Sequence, residues 1–117
     1  MKNVLCLLLL AVLVTPGVTY ATGSLASDIK RLIQAVEISG CTFMRNGKAH
    51  ASKESGKHIS RKYAHFEDDI DSIESFVALT ATKSLISGKP YVVQCENTVT
   101  SSSEWMLNKA EELGLES

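Results

Sequence analysis

The N-terminal stretch constrains this chain more than any other feature. Lys2 precedes an uninterrupted apolar run from Val4 to Val14, which Pro16 and the glycine after it break. A basic start, a short apolar run and then small residues form the three-part pattern of a secretory signal peptide. A membrane-spanning helix needs about 20 apolar residues, so this run is too short for an anchor. We predict a cleaved signal peptide over residues 1–21 and a periplasmic location for the mature protein.

The charge balance of the mature chain, residues 22–117, limits its partners. Cleavage after Ala21, or alternatively after Gly23, leaves about 96 residues, which is enough for one small domain. Of the 12 basic residues Lys2 leaves with the signal peptide, so 11 remain against 13 acidic ones. A nucleic-acid-binding surface needs a strongly basic face, and no second apolar stretch is long enough to span a membrane. We therefore expect no nucleic-acid partner and no membrane span.

Two cysteines remain once Cys6 is removed with the signal peptide, Cys41 and Cys95. An even number of cysteines in an exported chain indicates a disulfide bond. The bridge would close a loop of about 55 residues and stabilise the fold by about 4 kcal/mol through loop-closure entropy. The other interpretation is a nucleophilic thiol, which needs a neighbouring base and a lowered pKa. Because a free thiol is easily oxidised in such a compartment, we predict the Cys41–Cys95 disulfide.

Apolar periodicity and capping residues predict about four helices. A stripe of apolar residues at helical spacing and a glycine stop predict a first helix over Ser24–Ser39. Similar spacing predicts helices over Ser52–His65 and from Asp68 to about Leu85. The capping box Ser101-x-x-Glu104 predicts a last helix that ends near Leu113.

Turn residues and β-branched residues predict a small antiparallel sheet beside these helices. Asn46-Gly47 is the strongest short signal for a hairpin turn, and it joins Thr42–Arg45 to Lys48–His50. Tyr91–Cys95 is rich in β-branched and aromatic residues and predicts one further strand, whereas residues 96–103 are expected to form a polar loop. The predicted fold class is α+β, with a hairpin plus one strand held together by the disulfide.

A set of spaced residues in the mature chain resembles a known family. The set is Cys41-x-Phe43-x-Arg45-Asn46-Gly47, His58 with Lys62, Ser84, Ser87-Gly88, Tyr91, Cys95 and Trp105. It is similar to the small exported bacterial family typified by YfeK, over nearly the whole mature chain. The resemblance implies a periplasmic α-rich domain with a disulfide and no established activity. Small exported proteins of this general type also occur as immunity proteins against peptidoglycan-cutting effectors.

Residues with catalytic or metal-binding chemistry form no complete motif. His58 and His65 are two helical turns apart, about 10 Å of rise, whereas a catalytic zinc needs three close ligands. Ser27-x-x-Lys30 and Thr80-x-x-Lys83 match the Ser-x-x-Lys pattern only loosely, and its companion motifs are missing from the sequence. We expect no enzymatic activity, no metal site and no cofactor.

Two adjacent blocks of opposite charge offer a clearer signal. Residues 45–62 carry six basic residues and one acidic residue, whereas residues 67–74 carry five acidic residues. The blocks are either two solvated helix faces that compensate each other, or one of them steers an oppositely charged partner. The second interpretation fits a binding protein better than an enzyme.

Two functional hypotheses follow. The first is an inhibitor or immunity protein, monomeric or homodimeric, that binds an envelope-acting enzyme such as a peptidoglycan hydrolase. The second is a housekeeping envelope protein that binds a cell-wall fragment or another small ligand, and a third is a metal carrier that uses the histidines. The expected partner-binding residues lie near the hairpin: Arg45, Asn46, Lys48, His58 and Arg61.

Overall fold

The computed structural model describes residues 24–115, so the predicted signal peptide over residues 1–21 lies outside the described residues. Along this part of the chain two pairs of consecutive strands lie between helices. The helices are α1 (Leu25–Ile38), α2 (Ser52–Phe66), α3 (Ile73–Thr80) and α4 (Ser102–Glu112), with a 3-10 turn at Glu67–Asp69. The strands are β1 (Thr42–Arg45), β2 (Lys48–Ala51), β3 (Val92–Cys95) and β4 (Thr98–Ser101). This confirms the predicted α+β class with its antiparallel sheet.

The sheet consists of two hairpins placed side by side, in the order β2-β1-β3-β4. Each hairpin leads directly into a helix, β2 into α2 and β4 into α4. The first turn is the one predicted, since Asn46 and Gly47 have φ angles of 52° and 79°. Such left-handed angles favour Asn and Gly and match the twist of a two-residue hairpin. The two hairpin–helix units meet where β1 pairs with β3.

The register between β1 and β3 determines what lies at each end of this central pair. Phe43 is opposite Val93 in the middle of the antiparallel ladder. One residue beyond the ladder at one end, Cys41 and Cys95 form the predicted disulfide, with their Cα atoms 4.6 Å apart. The same register places Arg45 opposite Tyr91 at the other end. The bridge therefore holds one end of the pair, and the other end carries a charged and an aromatic residue.

The core lies between the helices and one face of the sheet. Successive residues of a strand point to opposite faces, so Phe43 and Val93 point inward and are almost fully buried. The largest fully buried side chains from the helices are Ile29, Leu32, Phe76 and Met106. The packed helices thus fix α2 against the inner face of β1, which is the arrangement that forms the site described below.

The third helix is shorter than the sequence predicts. It begins after Ser72, whose side chain and that of Ser75 form a reciprocal capping box, and it ends at Thr80. The prediction of a helix start at Asp68 and an end near Leu85 is therefore wrong at both ends. At the C-terminal end the Thr80 hydroxyl donates to the carbonyl of Phe76 and that of Thr82 donates to the carbonyl of Val77. The two hydroxyl groups thus serve as hydrogen-bond partners for carbonyls of the last helical turn, which favours the end of the helix at this point.

The predicted loop over residues 96–103 is also wrong, because Thr98–Ser101 forms strand β4. Glu96 adopts a φ of 51° and allows a tight turn without glycine. Strand β4 pairs along its whole length with β3. Its side chains are mostly exposed and polar, so the strand shows no apolar alternation. Ser101 then accepts from the backbone N–H of Glu104 and caps α4, as predicted.

Candidate functional site

A pocket of about 330 Å³ opens between the end of β1, the middle of α2 and the loop that precedes β3. We call it the basic pocket. Its polar lining residues are Arg45, Asn46, His58, Lys62, Ser84 and Tyr91, and Leu85 and Ile86 complete the wall. No acidic residue of the described chain lines it. A concave site with convergent polar groups is where a small ligand is expected to bind.

The fold places each basic side chain of this pocket for a simple reason. Arg45 is two residues beyond the inward-pointing Phe43, so its side chain also points towards the helices. His58 and Lys62 are four residues apart on α2 and therefore lie on one face of that helix. Helix α2 packs on the inner face of β1. The three side chains consequently converge although they come from two different elements.

Lys62 is held in the pocket by neutral groups. Its Nζ donates to the backbone carbonyl of Lys83 and to the hydroxyl of Tyr91, each at 3.4 Å. The same atom lies 5.0 Å from the centre of the Tyr91 ring. Burial, together with the charge of Arg45, lowers the pKa of Lys62. The ammonium group is thus positioned but its charge is not compensated by a carboxylate.

His58 is the most perturbed titratable group of the pocket. Its ring packs edge to face against Tyr91, with 6.0 Å between the ring centres. Burial, together with the nearby charges of Arg45, Lys62 and Arg61, lowers the pKa of His58 from 6.5 to about 4. The imidazole is therefore neutral at pH 7. A protonated His58 would need a negative charge nearby.

Three buried side-chain atoms beside the pocket lack a hydrogen-bond partner. They are Nε of Arg45, Nε2 of His58 and Oγ of Ser55, which are unpaired within residues 24–115. Buried polar groups are normally paired, and an unpaired one calls for an explanation. The Nε of arginine is always a donor. A ligand with an acceptor oxygen that pairs with the guanidinium of Arg45 would offset the positive charge of the pocket.

The chain matches a protein family over most of its length. The sequence profile of a family of unknown function, DUF5329, matches residues 24–114. The chain belongs to the DUF5329 family. A relative within the curated proteins, the uncharacterized protein YfeK of Salmonella typhimurium, is 30% identical over 92 residues, which cover 78% of this chain and 77% of the relative. No solved structure matches the chain. The resemblance to YfeK-like proteins is thereby confirmed at the level of the family.

In this DUF5329 protein the predicted partner-binding residues fall into two groups. Arg45, Asn46 and His58 line the basic pocket. Lys48 and Arg61 are exposed and lie outside its lining. Arg61 is nevertheless close enough for its charge to lower the pKa of His58. The predicted cluster is therefore partly a concave site and partly an exposed rim.

The predicted partner-binding residues omit five residues that line the pocket. They are Lys62, Ser84, Leu85, Ile86 and Tyr91. The four-residue spacing from His58 could have identified Lys62, because both lie on one helix face. Tyr91 is identifiable only once the register of β1 and β3 is known. Ser84 follows from the loop conformation, which the sequence did not predict.

The remaining candidate chemistry of the chain is dispersed. The ring nitrogen Nδ1 of His50 pairs with Glu54 at 3.0 Å, one turn away. Among residues 24–115 no group of three or more His, Cys, Asp or Glu side chains is placed to hold a metal ion. The contacts between His50 and Glu54 and between Lys109 and Glu112 do not join the basic block to the acidic block. No helix in the described range has the length and apolar character needed to cross a membrane.

Proposed function

We propose that this DUF5329 protein is a non-enzymatic binding protein of the cell envelope whose basic pocket takes the carboxylate of a small ligand, such as a cell-wall fragment. The observation that carries the proposal is the convergence of Arg45 and Lys62 in one concave site that no acidic residue of the described chain lines. The unpaired Nε of Arg45 supports it independently, since this donor is aimed at no acceptor in the described chain.

A carboxylate fits the pocket better than a neutral ligand for an electrostatic reason. Removing water from two cations without supplying a counter-charge costs free energy. An anion supplies that charge and accepts hydrogen bonds from both Arg45 and Lys62, which are stronger than bonds between neutral groups. The position of these donors in a partly buried site reduces solvent screening.

The proposal is tested by calorimetric titration with a matched pair of probes, N-acetylalanine and its uncharged amide. We expect the acid to bind with a Kd on the order of 1 mM, about 4 kcal/mol, and the amide at least tenfold more weakly. Arg45→Gln combined with Lys62→Met should abolish binding of the acid. Lys53→Ala with Lys57→Ala removes the same charge from exposed positions of α2 and should leave the affinity within about twofold. Equal binding of acid and amide, or an unaffected double pocket variant, contradicts the proposal.

Inhibition of a peptidoglycan hydrolase is a second candidate function, and the exposed tip of the first hairpin favours it. Asn46, Gly47 and Lys48 are exposed there. The tip is held by a hydrogen bond of 2.6 Å from the Ser87 hydroxyl to the Asn46 side chain. A projection that is already ordered loses little entropy when it binds a partner. The Lys48 cation could meet catalytic carboxylates in a glycosidase cleft.

An envelope pull-down distinguishes the two candidates. Inhibition through the hairpin tip would be supported by recovery of a hydrolase that excess protein inhibits. The Lys48→Glu variant should then fail to inhibit this hydrolase, whereas the pocket variant should still inhibit it. Recovery of no hydrolase would count against it.

The same preparation tests export. The mass of the periplasmic protein should correspond to a chain that begins near Thr22 and contains one disulfide.

A further inference from the structure

The basic pocket has an apolar lip formed by Leu85 and Ile86. These two side chains belong to the pocket wall, yet 65% of Leu85 and 97% of Ile86 are exposed. Ile86 is the most exposed large apolar residue of the described chain. A single exposed apolar side chain is ordinary, whereas two adjacent ones beside a polar site form an apolar patch that a ligand can cover.

The loop that carries the apolar lip is ordered by its own hydrogen bonds. The hydroxyl of Ser84, which is only 4% exposed, accepts from the backbone N–H groups of Ile86 and Ser87 at 3.2 Å. The N–H of Gly88 donates to the carbonyl of Ser84 at 2.9 Å, and Gly88 has a φ of 74°. The loop thus holds Leu85 and Ile86 outward in a defined conformation.

The loop is also tied to the pocket from two sides. The Ser87 hydroxyl donates to the side chain of Asn46, and Lys62 donates to the carbonyl of Lys83. These contacts join the apolar lip to the first hairpin and to α2, which carry the cations. The fold therefore fixes the distance between the apolar lip and the cations Arg45 and Lys62.

We propose that the ligand of the basic pocket is an amphiphilic anion, whose acid group pairs with Arg45 and Lys62 while an adjoining apolar segment packs on Leu85 and Ile86. This inference rests on the proposed function and specifies the class of its ligand. A compact hydrophilic anion would leave the apolar lip in water. A neutral apolar ligand would leave the two cations unpaired. An acid that carries a hydrocarbon chain matches both parts of the wall.

A series of straight-chain alkanoates tests this inference, with butyrate, hexanoate and octanoate titrated below their micellar concentrations. We expect the affinity of the wild-type protein to rise about two- to fourfold for each added methylene that the lip covers. Leu85→Ser with Ile86→Ser should lose this dependence and bind butyrate, hexanoate and octanoate with about the same affinity. Ile38→Ser with Val99→Ser changes side chains that are 84% and 62% exposed away from the pocket, and it should retain the wild-type slope.

Each outcome decides between distinct conclusions. A flat slope in the wild-type protein, or an unchanged slope in the lip variant, overturns the amphiphile and leaves the carboxylate site intact. Failure of every chain length to bind overturns the proposed function itself. Hexanol should bind at least tenfold more weakly than hexanoate, because it supplies no charge for Arg45 and Lys62. Binding only to phosphatidylglycerol vesicles, with no slope for free alkanoates, would replace the soluble amphiphile with a membrane surface.

Discussion

The Lys62 ammonium lies against Tyr91 in two ways, donating to its hydroxyl at 3.4 Å and standing 5.0 Å from its ring centre. Tyr91 is placed by the pairing of β1 with β3, and Lys62 by the packing of α2. The partners of the ammonium group are the Tyr91 hydroxyl and the backbone carbonyl of Lys83, and both are neutral. They therefore fix the position of the ammonium group without neutralising its charge. The contact converts a junction between helix and sheet into a site that attracts anions.

His58 makes the stability of the fold depend on pH. Between pH 6.5 and about 4 the unfolded chain binds a proton at His58 that the folded chain does not, so the free energy of unfolding falls as the pH is lowered through this window. Because the ring is only partly buried, we expect a loss of about 1 to 2 kcal/mol. Urea unfolding at several pH values should show this loss in wild type and in His65→Gln, but not in His58→Gln. An equal loss in His58→Gln would contradict the assignment.

Anion binding should become tighter as the pH falls. An anion in the basic pocket stabilises protonated His58 and therefore raises its pKa. Sulfate is a suitable probe, since it does not titrate in this range. If the pKa rises by about two units, the affinity should increase about tenfold from pH 7 to pH 5. His58→Gln should remove this dependence and His50→Gln should preserve it, whereas a pH-independent wild-type affinity would contradict the account.

The disulfide should contribute a large share of the stability. It links residues 54 positions apart and constrains the unfolded chain, so replacing Cys41 and Cys95 together by serine should cost about 4 kcal/mol. Denaturant unfolding of the double variant beside wild type measures the loss. A difference below about 1 kcal/mol would mean that the pairing of β1 with β3 does not depend on the bridge. Intact-mass measurement with and without reductant checks the bond itself.

Gly56 should resist replacement by alanine. It lies on α2 where this helix meets α1, and a Cβ atom there would collide with the side chain of Glu37. In an exposed helix position alanine is favoured over glycine by about 1 kcal/mol, and Ala64→Gly on the exposed face of α2 measures that baseline. We expect Gly56→Ala to destabilise the protein by about 1 kcal/mol despite this preference. If Gly56→Ala stabilised the protein by as much as Ala64→Gly destabilises it, the side chain of Glu37 on α1 would have to move aside without a cost in free energy.

The parts of the fold that follow local rules could be predicted from sequence. Asn46-Gly47 specifies the first hairpin, because few residues accept two successive left-handed conformations. The pairing of Cys41 with Cys95 is predicted because these are the two cysteines outside the predicted signal peptide. Helix α1 follows from its apolar stripe. The hairpin and α1 are each specified by one short segment, whereas the disulfide follows from a count of cysteines.

The rest depends on contacts between distant segments. Apolar residues continue past Thr80 at helical spacing, yet the chain turns there, since Ser84 and the pairing of Lys83 with Pro90 stabilise a loop instead. Strand β4 is polar and exists because β3 offers it hydrogen-bond partners. Tyr91 lies in the candidate site because the register of β1 and β3 places it opposite Arg45. Such relationships are absent from any local window of the sequence.

The most direct test of the central claim observes the Nε–H group of Arg45 by nitrogen–proton NMR correlation. This donor is buried and unpaired within the described residues, and an anion that pairs with the Arg45 guanidinium should shift its signal. Addition of N-acetylalanine should move the Arg45 Nε–H signal downfield and saturably, with the Kd that calorimetry gives, while Arg31, exposed on α1, should not respond. An Arg45 signal that stays unchanged at saturating acid would contradict an anion site in this pocket.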